Sequence, residues 1–281
     1  KLERDIPQTE WPCRECGGSG RQFDPDGGEV DCDHCGGSGY LYPTSVEEEV
    51  APHVREAMDG VEATFHGAGR EDVDALMLGT GRPFVVEVKS PRERDVDTAT
   101  LEATINDAAN GAVEVVGLAP ATYDMVERVK EHEASKRYRM AVAFDEPVAA
   151  ADLAAALDDL AGATIHQDTP QRVEHRRASK TRTRTVYDAS GELEDPDDRG
   201  GDEVATDATV EVHGAGGLYV KELVSGDEGR TEPSLAGLLG VDATVTALDV
   251  LAVTGEDEPF EHPDYFRPGV KDIDPPQPTD E

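Results

Sequence analysis

Lysine, aromatic residues and long apolar runs are all scarce in this sequence. Of its 26 basic residues only 7 are lysine, and aromatics make up 5% of its 281 residues. No window approaches the roughly 18 consecutive apolar residues of a membrane-spanning helix, which excludes that class and removes any reason to expect a membrane partner. The N-terminus pairs no basic stretch with an apolar one, so no secretory leader is expected and the cytoplasm is the expected compartment. The chain starts at Lys1 rather than Met, as expected of a fragment or processed product. It has only 4 cysteines, and with nothing pointing to secretion a disulfide framework is not expected.

Negative charge is what abounds. Asp and Glu number 61 against 26 Lys and Arg, a formal net charge of −35. Hydrophobic residues reach only 37%, but they recur periodically, so the chain folds rather than remaining a disordered acidic polymer. Its length suits one large domain or two small ones. The acidity is spread along the whole chain, with Ala and Gly plentiful, which is the composition of a halophile's cytosolic protein. At about 1 M salt the Debye length is only about 3 Å. Short-range contacts then decide binding, and an RNA ligand is not excluded.

All four cysteines fall in two copies of Cys-x-x-Cys-Gly-Gly-Ser-Gly, Cys13 to Gly20 and Cys32 to Gly39. Each Cys-x-x-Cys turn aims two thiolates at one point, so Cys13, Cys16, Cys32 and Cys35 are expected to form a structural zinc knuckle with no open position for catalysis. The repeats resemble units of the DnaJ chaperone zinc domain, which needs four such units. A non-enzymatic zinc-knuckle module, RNA-binding or chaperone-like, is therefore one reading.

Beyond Pro43 the pattern changes. Helices are expected at 45–58 (N-cap Ser45, Glu48 three residues on), 98–109, 121–133, 148–160 and near 233–239. Strands are expected at 82–88, 112–118, 138–144, 163–167, 208–213 and near 243–252. Residues 188–203 read as an acidic surface loop and 268–281 as an acidic, Pro-rich tail. The irregular order predicts an α+β fold with a mixed, mostly antiparallel sheet flanked by helices. The expected domains are 1–44 (knuckle and linker) and 45–267 (catalytic).

The densest chemistry lies in 66–92. Asp74 and Glu87 could hold Mg²⁺ with Lys89 assisting water, as in a nuclease core. A second reading takes Gly69-Arg70-Glu71-Asp72 as a loop presenting one carboxylate. That Gly-Arg-x-Asp string is similar to the catalytic loop of pseudouridine synthases. The wider sequence resembles the "Pus ten" family of archaeal and eukaryotic tRNA pseudouridine synthases, here of haloarchaeal character. The matching segments include Gln167-Asp168-Thr169-Pro170-Gln171-Arg172-Val173, Gly217-Leu218-Tyr219-Val220-Lys221-Glu222-Leu223 and Ser225-Gly226-Asp227-Glu228-Gly229-Arg230-Thr231. The resemblance covers roughly residues 6 to 255 and lacks the family's N-terminal, THUMP-containing part. It makes the nuclease the lesser reading.

The resemblance implies isomerisation of uridine to pseudouridine in the TΨC arm of tRNA, at positions 54 and/or 55. It implies neither a redox cofactor nor a catalytic metal, and no protein partner is inferred. Asp72 aligns with the catalytic aspartate, with Glu71 and Asp74 as alternatives on the same loop. Tyr219-Val220-Lys221 looks like the segment whose cation pairs with that aspartate, Tyr and Lys sharing one face of a strand. Tyr138 resembles the tyrosine that stacks on the target base. Arg70 and Tyr219 are further substrate contacts, and Leu248 or Leu239 is the apolar wall. Arg172, Arg176, Arg177, Lys180, Arg182 and Arg184 place six cations in thirteen residues. They are expected to contact RNA phosphates, with Lys180, Arg182 and Arg184 alternating along one strand face.

Overall fold

A computed structural model describes residues 1–24, 27–69, 73–132, 134–176, 179–199, 202–255 and 262–267. They divide into two compact units. The first holds the described residues of 1–76, 82–132 and 262–267, and the second those of 77–81 and 134–255. The first unit thus runs across position 44 without a break.

The first unit begins with a short antiparallel pair, β1 (Arg21–Phe23) and β2 (Glu29–Asp31), inside the cysteine-rich segment. Helix α1 (Val46–Ala57) starts where its cap predicts: Ser45 Oγ accepts from Glu48 N at 3.2 Å and donates to the Glu48 carboxylate at 2.9 Å. Glu47, Glu48 and Glu49 complement the helix dipole. β3 (Glu62–Gly67) follows, then β4 (Leu76–Met77), whose continuation enters the second unit. β5 (Phe84–Lys89) pairs antiparallel with β3, Phe65 stacking on Phe84 at 5.1 Å. Helices α2 (Thr98–Ala108) and α3 (Asp124–Glu131) complete the set. One core cluster comprises Val50, Val54, Leu101, Ile105, Ala109, Val113 and Val115.

The expected strand at 112–118 does not form. Val113 and Val115 are buried in that core, but the Asn106 side chain takes the place of a neighbouring strand. Its Nδ2 donates to Val115 O at 2.9 Å and its Oδ1 accepts from Val115 N at 2.7 Å.

The second unit is built on an antiparallel sheet. Its strands are β6 (Ala134–Ala149), β7 (Thr164–Gln167), β8 (Arg182–Leu193), β9 (Asp197–Arg199), β10 (Asp202–Gly214), β11 (Thr231–Glu232) and β12 (Ala243–Gly255). The spatial order is β11-β7-β8-β10-β6-β12-β4, with β9 beside β10. The stretch 188–203, expected as a loop, is instead mostly strand: β8 runs on to Leu193 paired with β10, and β9 pairs with the start of β10. Beyond Ala189 and Gly191, residues 192 and 194–197 are exposed, so no apolar alternation marks the strands.

Helices α4 (Ala150–Leu160), α5 (Val220–Ser225) and α6 (Leu235–Leu239) cover one face of the sheet. Tyr138, Met140, Val142 and Phe144 of β6 point into this core. At the β12 edge, Leu78 N donates to Val250 O at 2.7 Å and Val253 N to Thr80 Oγ1 at 3.2 Å. A Cβ on Gly79 would lie 3.2 Å from Leu251 C and nearer still to its oxygen, so the turn passes where only glycine fits. Among the described residues no helix is long and apolar enough to cross a membrane.

Candidate active site and metal centre

The two cysteine repeats form near-identical turns that interlock. Within each, the second glycine donates to the first cysteine's carbonyl, Gly18 to Cys13 and Gly37 to Cys32, both at 3.2 Å. The last glycine donates to the second thiol, Gly20 to Cys16 and Gly39 to Cys35, again at 3.2 Å. Between repeats the exchange is reciprocal: Cys13 N donates to Gly39 O at 2.7 Å and Cys32 N to Gly20 O at 2.8 Å.

All four Sγ atoms lie within 4.8 Å of one another. The Cys13–Cys32 and Cys16–Cys35 separations are 3.9 and 3.8 Å. A tetrahedral ion with metal–sulfur bonds of about 2.3 Å sets its sulfurs about 3.8 Å apart. The quartet therefore fits a metal ion, and no disulfide links its members. Burial pushes the Cys16 thiol up, but N–H groups of Gly20 and Gly18, with Cys13 and Cys35 beside it, outweigh this and lower it to about 6. Burial dominates at Cys32 and raises it to about 11. Among the described residues this quartet is the one cluster of three or more potential ligands.

The nuclease residues are engaged otherwise. Glu87 pairs with His66 at 3.0 Å and Lys89 with Glu62 at 3.0 Å. Asp74 lends its backbone carbonyl to Arg4 at 2.7 Å. Arg70, Glu71 and Asp72 lie outside the described residues, as does Arg177.

In the second unit the structure brings several expected residues to the helix-covered side of the sheet. Tyr138 is buried on β6, opposite Val250 of β12 and Val212 of β10. Leu248 is buried opposite Met140, the next residue on the same face. Leu239 lies instead at the end of α6, half-buried. Contrary to the expectation from sequence, Tyr219 and Lys221 do not share a strand face. Tyr219 is the N-cap of α5 and Lys221 lies in its first turn, half-buried, with α5 packed on β12. Gly226, at φ 77°, ends the helix.

Because α5 has six residues, it cannot be stable alone. Neighbouring side chains hold it. Gln167 clasps the Tyr219 backbone, Nε2 to O at 2.9 Å and Oε1 from N at 2.9 Å. Gln167 and Glu222 lie within the motifs that carry the family resemblance, but nothing local in the sequence marks a role for either. Glu222 is buried, and its Oε1 accepts from Arg172 Nε at 2.6 Å.

The expected basic face divides. Arg182 and Arg184 are half-buried on β8, on the same side as buried Val186. The Arg182 guanidinium lies over the Tyr219 ring, 5.3 Å from its centroid. Lys180 precedes the strand and is exposed. The chain between β7 and β8 is an excursion pinned at its base. Thr169 Oγ1 bonds both backbone groups of Lys180, at 3.0 and 3.2 Å, and Thr181 donates to Asp168 at 2.6 Å. Arg172 and Arg176 lie on its 3₁₀ turn, Gln171–Arg176.

The family model for the C-terminal part of Pus10 matches residues 1–254. A curated relative from Halorubrum lacusprofundi, a tRNA pseudouridine synthase Pus10, is 69% identical over 95% of this chain and 59% of its own. A second, from Methanothrix thermoacetophila and of the same name, is 48% identical over 91% of this chain and 52% of its own. The chain thus spans little more than half the length of these relatives. Among solved structures, the crystal structure of a Cbf5-Nop10-Gar1 complex matches with 18% identity and a TM-score of 0.44, covering 75% of this chain and 46% of that one.

Proposed function

The chain belongs to the Pus10 family, and from that premise we propose that it carries the catalytic part of a tRNA pseudouridine synthase. Its substrate is uridine at positions 54 and/or 55 of the TΨC arm. The observation that carries this reading is the family match running through 1–254; it is supported by Tyr138 and Leu248 on the paired strands β6 and β12, with α5, which carries Lys221, packed on β12.

The reaction breaks the N1–C1′ bond, turns the base and joins C1′ to C5. The C5 proton is lost and N1 gains one, so electrons balance without a redox partner. Asp72 supplies the carboxylate that acts at the sugar and base. Lys221 keeps it ionised, since a cation beside a carboxylate favours its charged form. Tyr138 stacks on the target base, and Leu248 supplies the apolar wall against which the flipped base rests. Arg70 and Tyr219 contact the substrate. Arg176, Arg177 and Lys180 bind backbone phosphates, and Arg182 and Arg184 border them on β8. The ion held by Cys13, Cys16, Cys32 and Cys35 is zinc. Its four protein ligands leave no open position, so it organises the N-terminal fold and takes no part in the chemistry. The compartment is the cytoplasm.

The test is incubation with unmodified tRNA at high salt, with EDTA present for short times, followed by nucleoside analysis. Pseudouridine formation with EDTA present is the expected result. Metal-dependent strand cleavage without pseudouridine would overturn the proposal in favour of the nuclease.

A further inference from the structure

We propose that Glu222 and Arg172 form a positioning pair that fixes the helix carrying Lys221 to the basic excursion between β7 and β8. The inference rests on the synthase reading, in which Lys221 serves the catalytic carboxylate.

The Glu222 side chain is 6% exposed, and a carboxylate so far from water needs a charge partner. Arg172 provides it at 2.6 Å, from fifty residues away in the chain. The second carboxylate oxygen, Oε2, is buried and accepts no hydrogen bond among the described residues. Arg172 itself is 42% exposed, so the pair joins the interior of α5 to a surface loop.

The end of β7 and the same loop grip α5 at two other points. Gln167 holds Tyr219 at the helix start. Beyond the helix end, Gln171 N donates to Asp227 at 3.1 Å and its Nε2 to Glu228 at 2.9 Å. The receiving turn is costly to build: Gly226, Asp227, Glu228 and Gly229 have φ of 77, 46, 56 and 83°, and two of these residues carry a Cβ that disfavours this region. Arg230 adds a bond to Thr169 O at 3.4 Å and an ion pair with Glu174 at 3.6 Å. Gln167, Gln171 and Arg172 therefore hold the start, the end and the middle of a helix too short to hold itself. Lys221 lies between two of the gripped positions, 219 and 222. Arg172, expected from sequence to meet phosphate, serves here to place a neighbour of the catalytic cation.

The experiment compares Glu222→Gln, Arg172→Gln, Arg172→Lys and the double variant Glu222→Gln/Arg172→Gln in the full chain. One readout is single-turnover pseudouridine formation at saturating tRNA, beside tRNA affinity. Each neutral single variant should slow turnover about 10- to 100-fold, as misplacement by about 1 Å does, while affinity stays within about 2-fold. The double variant should be no slower than the slower single, and Arg172→Lys should recover part of the rate.

The second readout does not depend on activity. Acetic anhydride labelling of Lys221, mapped by mass spectrometry, should change in rate in both neutral variants, while exposed Lys89 stays constant. If Arg172→Gln weakens affinity but leaves turnover and Lys221 labelling unchanged, Arg172 is a phosphate contact and the proposal fails. Additive losses in the double variant overturn it as well. A wild-type chain that binds tRNA but makes no pseudouridine sinks the synthase reading instead, and the labelling result still decides the pair. Should Glu222→Gln fail to fold, the half-exposed Arg172 variants decide alone.

Discussion

Replacing Gly20 by alanine tests whether the two cysteine turns depend on each other. Gly20 has φ +71°, and a Cβ there would lie 3.0 Å from Gly37 C, closer to its oxygen, and 3.3 Å from Gly39 N. The backbone cannot swing aside, because Gly20 O holds Cys32 N at 2.8 Å and Gly20 N faces Cys16 Sγ at 3.2 Å. A side chain in the left-handed region costs about 1–2 kcal/mol. Forcing atoms into an occupied place adds about 1–3 kcal/mol. The sum, about 2–5 kcal/mol, weakens zinc binding roughly 30-fold to a few thousand-fold at about 1.4 kcal/mol per tenfold. Gly17→Ala is the control: its φ is +63° but nothing lies within 4 Å of its Cβ. It should weaken binding only roughly 5- to 30-fold, the conformational part alone. Competition against a chromophoric chelator at fixed pH measures both. Equal losses in the two variants would refute the interlock as the source of affinity.

Asp72→Asn should abolish pseudouridine formation while tRNA binding persists, whereas Lys89→Ala, which breaks only the exposed pair with Glu62, should change the rate less than about 2-fold; nucleoside analysis and filter binding check both. Replacing Arg176 and Arg177 by alanine should weaken tRNA affinity and reduce the slope of log K against log salt by about 1–2, with single-turnover rate at saturation retained. Asp97 caps α2, and hydrogen bonds from the Thr100 side chain and backbone lower its pKa below the ordinary 3.8. Its stabilising effect is therefore complete above 3.8 and lost as pH falls through the lower folded value. The stability gap between wild type and Asp97→Ala, measured by denaturant unfolding, should be full near neutral pH and close in acid.

Helices whose ends carry side-chain signals were readable in the sequence: Ser45 and Glu48 mark α1 because both partners of the cap lie within four residues. The same holds for the cysteine quartet, whose geometry is repeated locally. What sequence reading misses is a distant side chain standing in for backbone. Asn106 replaces a strand beside Val115, and Gln167 takes both backbone groups of Tyr219, the residue before α5. An apolar run such as 217–224 looks alike as strand or short helix, and packing on β12 together with the grips from 167–172 favours the helix. The burial of Glu222 was equally hidden, since its partner Arg172 lies fifty residues away.

The turn at Met77–Gly81 has a consequence for the order in which the protein assembles. It is made early in synthesis yet waits for β12, with 173 residues separating Thr80 from its partner Val253. Closing so long a loop is among the slow steps of folding. Until then the outer rim of β12 has no neighbour, and an unpaired rim is where chains stick to one another. Gly79, with room for no side chain against Leu251, lets the early segment seal that rim once the last strand emerges. Birth of the second unit is thus timed by its C-terminal strand, and a chain halted before residue 243 keeps an open sheet.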